Sequence, residues 1–280
     1  MFRFLLCFST TLIFGNFSVS AETAEKYFEK AESLSKNQDF EGAKLLYGKA
    51  AGLEHAEAQF RLGLLNQFND DKVAFYWLKR AAMNGFQKAE FHVGTHYFDG
   101  QGVEKNYKLA FEWIMKAAER GDEVAEHLVG IMFDEGKGIE VNKNSAAEWY
   151  LKAANKGVME SQFNLGSIYS NGVGVPENHK KAFHWFKKAA EQGYDRAEYN
   201  LGNAYSNGKG VDRDTEKAIF WYESAANKGI NSAQFNLGLI YAYGMGADVN
   251  KVKARYWLEK AHKNGHVRAY RELEKIRVVK

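Results

Sequence analysis

The sequence predicts an all-α protein, a solenoid of stacked antiparallel helix pairs, on three observations. Only one proline occurs among 280 residues, and proline breaks helix interiors. Trp77, Trp113, Trp149, Trp185, Trp221 and Trp257 follow one another at a constant interval of 36 residues. Gly85, Gly121, Gly157, Gly193, Gly229 and Gly265 keep that interval, as do Ala74, Ala110, Ala146, Ala182, Ala218 and Ala254. A period of this length marks a helical repeat whose units bury their apolar faces against their neighbours. Within each period the apolar residues fall on two stripes at helical spacing.

The first element is an address. Arg3 gives a positive start, Phe4 to Phe14 is mostly apolar, and Val19-Ser20-Ala21 offers small residues before a cut. Residues 1–21 therefore read as a secretory signal. The apolar run is shorter than the roughly 20 residues that span a bilayer, so no stable membrane insertion is expected after cleavage. Cys7, the only cysteine, would leave with the signal. It sits inside the apolar run, which argues against a lipid anchor. The remaining chain tolerates an oxidising compartment without disulfides, and a periplasmic or secreted location is expected.

Composition narrows the classes further. With 45% hydrophobic residues the chain is no disordered polymer, and its negative mean hydropathy is not that of a multi-spanning membrane protein. Thirty-eight basic against 35 acidic residues leave a net charge of +3. That balance gives no reason to expect a nucleic-acid partner.

The repeats come next, exemplified by Ala89 to Val124. Ala89, Val93, Gly94 and Tyr97 form one stripe, and Ala110, Trp113 and Ala117 form a second. Asp70, Asn106, Asn142, Asn178, Asp214 and Asn250 each precede the marker alanine by four residues. A short polar side chain there is expected to cap the second helix. The glycine eight residues after each Trp falls where a left-handed C-terminus favours Gly. Gly63, Gly94, Gly130, Gly166, Gly202 and Gly238 lie inside the first helix. Each costs about 1 kcal/mol relative to Ala, so their recurrence predicts a close helix approach, near the Trp. The pairs Gly100/Gly102, Gly136/Gly138, Gly172/Gly174, Gly208/Gly210 and Gly244/Gly246 fall in the inter-helix turn. No strand precedes them, so a turn fits better than a phosphate cradle.

The pattern A-x-x-x-L-G-x-x-Y, G-x-G-V, N/D-x-x-x-A-x-x-W-x-x-K-A-A-x-x-G resembles the Sel-one-like repeat, a relative of the tetratricopeptide repeat. Ser161 to Arg196 and Ala197 to Ser232 are clear instances. The resemblance implies a right-handed superhelix with six repeats over residues 58–268. The first repeat lacks five residues between Gly63 and Asp70, so a short turn is expected there. In the last, Ala247 replaces Val and His262 replaces the second Ala. Upstream, Tyr27, Ala31, Leu34, Ala43, Tyr47 and Ala50 resemble a tetratricopeptide unit, which makes residues 22–57 an N-terminal cap. Residues 269–280 would be a charged capping helix.

By analogy with tetratricopeptide geometry, the first helices line a concave groove. The residue two after each leading position then faces the groove: Phe60, Phe91, His127, Phe163, Tyr199 and Phe235. Beside it stand Asn164, Asn200 and Asn236. An Asn amide offers a donor and an acceptor together, matching a peptide unit, so one reading is that these residues hold an extended partner segment. The other is that the asparagines bond between repeats and the aromatics pack on their neighbours.

No catalytic set is evident. Ser33-Leu34-Ser35-Lys36 matches S-x-x-K without K-T-G or S-D-N, and reads as a chance match. His92 and His96 are four apart and could hold a metal, but no third ligand is evident. Surface or groove histidines are the simpler reading. Lys116, Lys152, Lys188 and Lys260 suit the helix dipole and read as a solvated face. No catalytic residue, metal or cofactor is expected. The resemblance implies a protein-binding scaffold or adaptor, a monomer whose partner is a protein or peptide, acting on an envelope complex or a host factor. The alternative it implies is an envelope β-lactamase-like enzyme.

Overall fold

A computed structural model of the chain describes the backbone of residues 7–278 and the side chains of residues 20–276. The start of the expected export signal and the Cys7 side chain lie outside the described residues. The backbone from Cys7 onward is helical, and the expected cut after Ala21 falls inside the first helix. Among the described residues there are fifteen helices and no strand. No described helix is long and apolar enough to cross a membrane.

The chain divides into two units, Met1–Val141 and Asn142–Lys280. The first holds α1 (Cys7–Lys36), α2 (Phe40–Gly52), α3 (Ala56–Asn66), α4 (Asp71–Met83), α5 (Lys88–Asp99), α6 (Tyr107–Glu119) and α7 (Glu123–Glu135). Helices α1 and α2, α3 and α4, and α5 and α6 pack as pairs, and each pair also packs on the next helix in the chain. The second holds α8 (Lys143–Asn155), α9 (Met159–Asn171), α10 (His179–Glu191), α11 (Asp195–Asn207), α12 (Thr215–Asn227), α13 (Asn231–Tyr243), α14 (Lys251–Lys263) and α15 (Ala269–Val278). The pairs there are α9 with α10, α11 with α12, and α13 with α14, while α15 closes on α14 and α13. Leu273 and Ile276 of α15 pack against Phe235, Leu258 and Ala261.

The local signals operate as read. Asp70, Asn106, Asn142, Asn178, Asp214 and Asn250 are extended N-caps whose side chains accept from backbone N–H groups in the first turn of the second helix. Asn106 Oδ1, for example, accepts from the Leu109 N–H at 3.0 Å. Every glycine eight residues after a Trp has positive φ, between 84° and 101°. The first repeat turns from α3 to α4 in four residues, 67–70, whereas α5 and α6 are joined by residues 100–106.

The close helix approach falls beside the Trp: the glycine inside the first helix faces the residue directly after it. A methyl on Gly63 would stand 2.7 Å from Leu78 Cγ, one on Gly166 2.7 Å from Phe186 Cδ1, and one on Gly202 2.6 Å from Tyr222 Cδ1. At about 3.6 residues per turn, that neighbour lies on the inward face and the indole is turned aside. Leu78, Ile114, Tyr150, Phe186, Tyr222 and Leu258 are all buried, while Trp77, Trp113, Trp149 and Trp221 are half-buried.

The second glycine of the G-x-G pairs at 102, 138 and 210 does more than turn the chain, and Gly246 meets only the Thr215 side chain. A side chain at Gly102 would strike the Asp71 carbonyl, at Gly138 that of Tyr107, and at Gly210 that of His179. Each belongs to the first turn of the preceding second helix, so this glycine is where one repeat lies directly on the backbone of the one before.

The late lysines are not simply solvated. Lys116, Lys152, Lys188 and Lys260 stand over their own Trp113, Trp149, Trp185 and Trp257 rings, with nitrogen-to-centroid distances of 4.2, 3.4, 5.0 and 5.3 Å. The ring quadrupole attracts the ammonium and the exposed indole face is covered.

Candidate functional site

The first helix of each repeat has three adjacent positions with different fates. The leading residues Ala58, Ala89, Ala125, Ser161, Ala197 and Ala233 are fully buried. The next position is polar yet also buried: Gln59, Glu90, Glu126, Gln162, Glu198 and Gln234. Buried polar groups need partners, and Gln59, Glu90, Gln162, Glu198 and Gln234 find them at the C-cap of their own repeat's second helix. Asn84 Nδ2 donates to Gln59 Oε1 at 2.9 Å, and Arg120 Nε donates to Glu90 Oε2 at 2.9 Å. In the second unit, Gln192 Nε2 donates to Gln162 Oε1 at 2.8 Å, Lys228 Nζ to Glu198 Oε1 at 2.6 Å, and Asn264 Nδ2 to Gln234 Oε1 at 3.0 Å. The glutamines also donate backward to the preceding helix end, Gln162 to the Ala154 carbonyl at 3.0 Å and Gln234 to that of Ala226 at 2.8 Å.

The third position is the aromatic column. Phe60 is buried against Phe86 (4.9 Å between ring centres) and His92 (5.3 Å). Phe235 is buried in a 4.0 Å stack on His266, with Arg268 on the same ring. Phe163 lies between Phe186 and Tyr194, and Tyr199 against Tyr222. Phe91, His127, Phe163 and Tyr199 keep part of their surface in solvent. Phe91 stands edge-on to His92. Phe60, Phe163 and Phe235 thus support the loop after their repeat's second helix, and Phe91, His127, Phe163 and Tyr199 also present a partly exposed ring.

The asparagines divide. Asn236 Nδ2 approaches Asn203 Oδ1 of the preceding first helix at 3.4 Å, an inter-repeat bond. Asn164 and Asn200 are half-buried, and neither side chain makes a hydrogen bond with another described residue. Asn200 lines an open cleft of about 270 Å³ in the second unit, together with Ser170, His179, Phe183, Phe186, Asn203, Asn207 and Lys209. Asn203 and Asn207, missed in the sequence column, lie on the same helix as Asn200, and a single repeat carries all three.

His96 is not the surface or groove histidine expected from the sequence. It is buried, and its Nδ1 lies 2.7 Å from the Gln101 carbonyl at the end of its own helix. Burial, then the neighbouring His96, holds His92 below the usual imidazole range. No group of three or more His, Cys, Asp or Glu side chains able to hold a metal occurs among the described residues. Ser33 and Lys36 fall in the last turn of α1.

Paired helices repeating at a fixed interval, five of the pairs tied by a buried polar bond, define an α-solenoid repeat protein. The Sel1 repeat model matches residues 56–86, 87–122, 124–158, 160–194, 195–230 and 231–266, and the chain belongs to the Sel1 repeat family. A Sel1 repeat protein from Oxalobacter formigenes is 31% identical, with a TM-score of 0.68, over 84% of this chain and 99% of that one. The protein c5321, described as a protective antigen of uropathogenic Escherichia coli displaying an SLR fold, is 28% identical with a TM-score of 0.83. That match covers 92% of this chain but only 58% of c5321. No curated protein matches in sequence. Sel1 repeat proteins are generally scaffolds for protein interaction and typically non-enzymatic.

Proposed function

We propose that this protein is an exported scaffold or adaptor whose first helices hold an extended segment of a partner protein, regulating an envelope complex or engaging a host factor. The observation that carries the reading is the pair of unbonded amides, Asn164 and Asn200, in register on successive first helices beside the half-exposed rings of Phe163 and Tyr199. The unbonded atoms of these amides stay accessible to solvent, and a peptide main chain supplies the matching donor and acceptor. An extended segment advances about 3.3 Å per residue and packed helices lie roughly 8–10 Å apart, so each step of the face would serve about three residues. Export rests on Arg3, the apolar run that follows and the small residues before Ala21. The similarity to c5321, an antigen described as protective, suits a chain that leaves the cytoplasm.

A photo-reactive phenylalanine at position 199, compared with one at exposed Phe220 on α12, tests the face. The expected result is a discrete protein adduct from position 199 alone, lost in Asn164→Ala/Asn200→Ala while the melting temperature is unchanged. An adduct from position 220, or one indifferent to the two asparagines, overturns the assignment. Cell fractionation tests export, and a chain retained in the cytoplasm with its first 21 residues intact refutes it.

A further inference from the structure

The cleft on α11 has a chemistry of its own, set by how Asn203 is held. Tyr222 OH donates to Asn203 Oδ1 at 2.7 Å, and Asn236 Nδ2 approaches the same oxygen. Burial, as the largest cause, pushes the Tyr222 phenol up to about 12. Tyr222 therefore remains a donor throughout the neutral range, and two donors on one oxygen fix which way the amide faces. The Asn203 Nδ2 group, which has no acceptor among the described residues, is left as a donor for the cleft that Asn203 lines. Asn200 adds a second unbonded amide and Ser170 a hydroxyl. Lys209 stands exposed on the same lining, with no carboxylate in ion-pair range among the described residues.

Acceptors are fewer. Asn207 gives one N–H of its Nδ2 to the Asn203 carbonyl at 2.9 Å and keeps its oxygen and its second N–H for a ligand. His179 lies 3.1 Å from Glu177, so the nearby acidic group already faces a partner. No Asp or Glu lines the cleft, and Phe183 and Phe186 form its apolar wall. A surplus of donors with one unpaired cation suits an anionic acceptor of planar, two-oxygen geometry.

We infer that the α10–α11 cleft reads a carboxylate side chain, Asp or Glu, on the partner's extended segment, with Lys209 and the Asn200 and Asn203 amides as its donors. The assignment rests on the proposed peptide-binding face and adds one sequence requirement to it. The apolar wall accommodates the methylenes that carry the carboxylate, and the Asn207 oxygen can accept a neighbouring main-chain N–H.

The test uses a library of short, C-terminally amidated peptides selected on the protein without its first 21 residues. Each recovered binder is then measured by fluorescence polarisation with its acidic positions changed singly from Glu to Gln or Asp to Asn. The expected result is one position at which the neutral isostere binds about tenfold more weakly, as loss of a charge-assisted bond implies. That preference should collapse in Lys209→Gln and in Asn200→Ala, both of which leave the Tyr222–Asn203 bond in place. Binders that compete at the α9–α11 face without any acidic preference overturn this inference and leave the peptide-binding reading standing. A preference that survives both substitutions, or that requires a free C-terminus, also overturns it. Failure to select any peptide overturns the peptide-binding reading, and this inference with it.

Discussion

Lys228 Nζ donates to Glu198 Oε1 at 2.6 Å and to the Gly193 carbonyl at 2.9 Å. One ammonium at the end of α12 thereby ties down the start of α11 and the loop that follows α10. One repeat earlier, Gln162 and Gln192 connect the equivalent pieces with neutral amides. The same seam is closed by charge in one repeat and by dipoles in the next.

Lys228→Met should therefore destabilise more than an ordinary surface change. It leaves the Glu198 carboxylate, 3% exposed, without its cation. The expected loss is about 1–3 kcal/mol, the cost of an unsatisfied buried group. Glu198→Gln/Lys228→Gln reproduces the neighbouring amide pair and should recover most of that loss. Urea unfolding of the single and double variants checks it, and equal damage from both would refute the equivalence of the two seams.

Two alanine substitutions should have opposite signs. Gly202→Ala places a methyl 2.6 Å from the Tyr222 ring, and overpacking costs about 1–3 kcal/mol. This outweighs the gain of about 1 kcal/mol in helix propensity, so the melting temperature should fall. Gly48 lies within α2 with nothing near its missing methyl, and Gly48→Ala should raise stability by roughly 0.5–1 kcal/mol.

Gly208 and Gly210 separate backbone conformation from contact. Their φ values are similar, 68° and 76°. At Gly208 a methyl meets nothing closer than 3.6 Å, whereas at Gly210 it would clash with the His179 carbonyl. Gly208→Ala should cost about 1–2 kcal/mol, the left-handed penalty alone. Gly210→Ala should cost distinctly more, because backbone cannot yield as a side chain does. Thermal unfolding of the two variants measures the difference.

Stability should decline in mild acid. Burial, then Arg268, lowers the His266 pKa, while burial and His96 lower that of His92. His266 Nδ1 is buried without a partner, and the ring stacks on Phe235. A depressed imidazole pKa means that the unfolded chain takes up its proton first. The stabilisation is complete above the unfolded value of about 6.5 and is lost as pH falls from there through the lower folded value. His266→Gln and His92→Gln should each flatten the melting-temperature profile over that range.

The caps and the left-handed glycines were legible in the sequence because each answers a local demand that one residue can meet. The helix–helix contact was legible only as lying near the Trp, because the recurring Trp marks the helix turn while the inward direction belongs to the residue after it. The buried ladder escaped notice because its members look like surface residues and stand 30 apart in the chain, Glu90 with Arg120 and Gln162 with Gln192. Matching of charge with charge and amide with amide at that interval was the available signal. At the candidate site, the Asn164, Asn200 and Asn236 column was visible because it recurs. Asn203 was not, since a single repeat carries it, and Asn207, which repeats Asn171, stands outside that column until the fold brings it beside Asn200.

The short turn of the first repeat has a further effect. Without a second glycine there, nothing equivalent to Gly102 lies on the start of α2, where Phe40 stands more than half exposed. A hollow of about 210 Å³ opens there between Phe40, Tyr47, Arg61 and Leu65. The leading helix pair is thus clasped along one edge fewer than the pairs behind it. Its amides should trade hydrogen for deuterium sooner, and unravelling of the first unit should begin from that end.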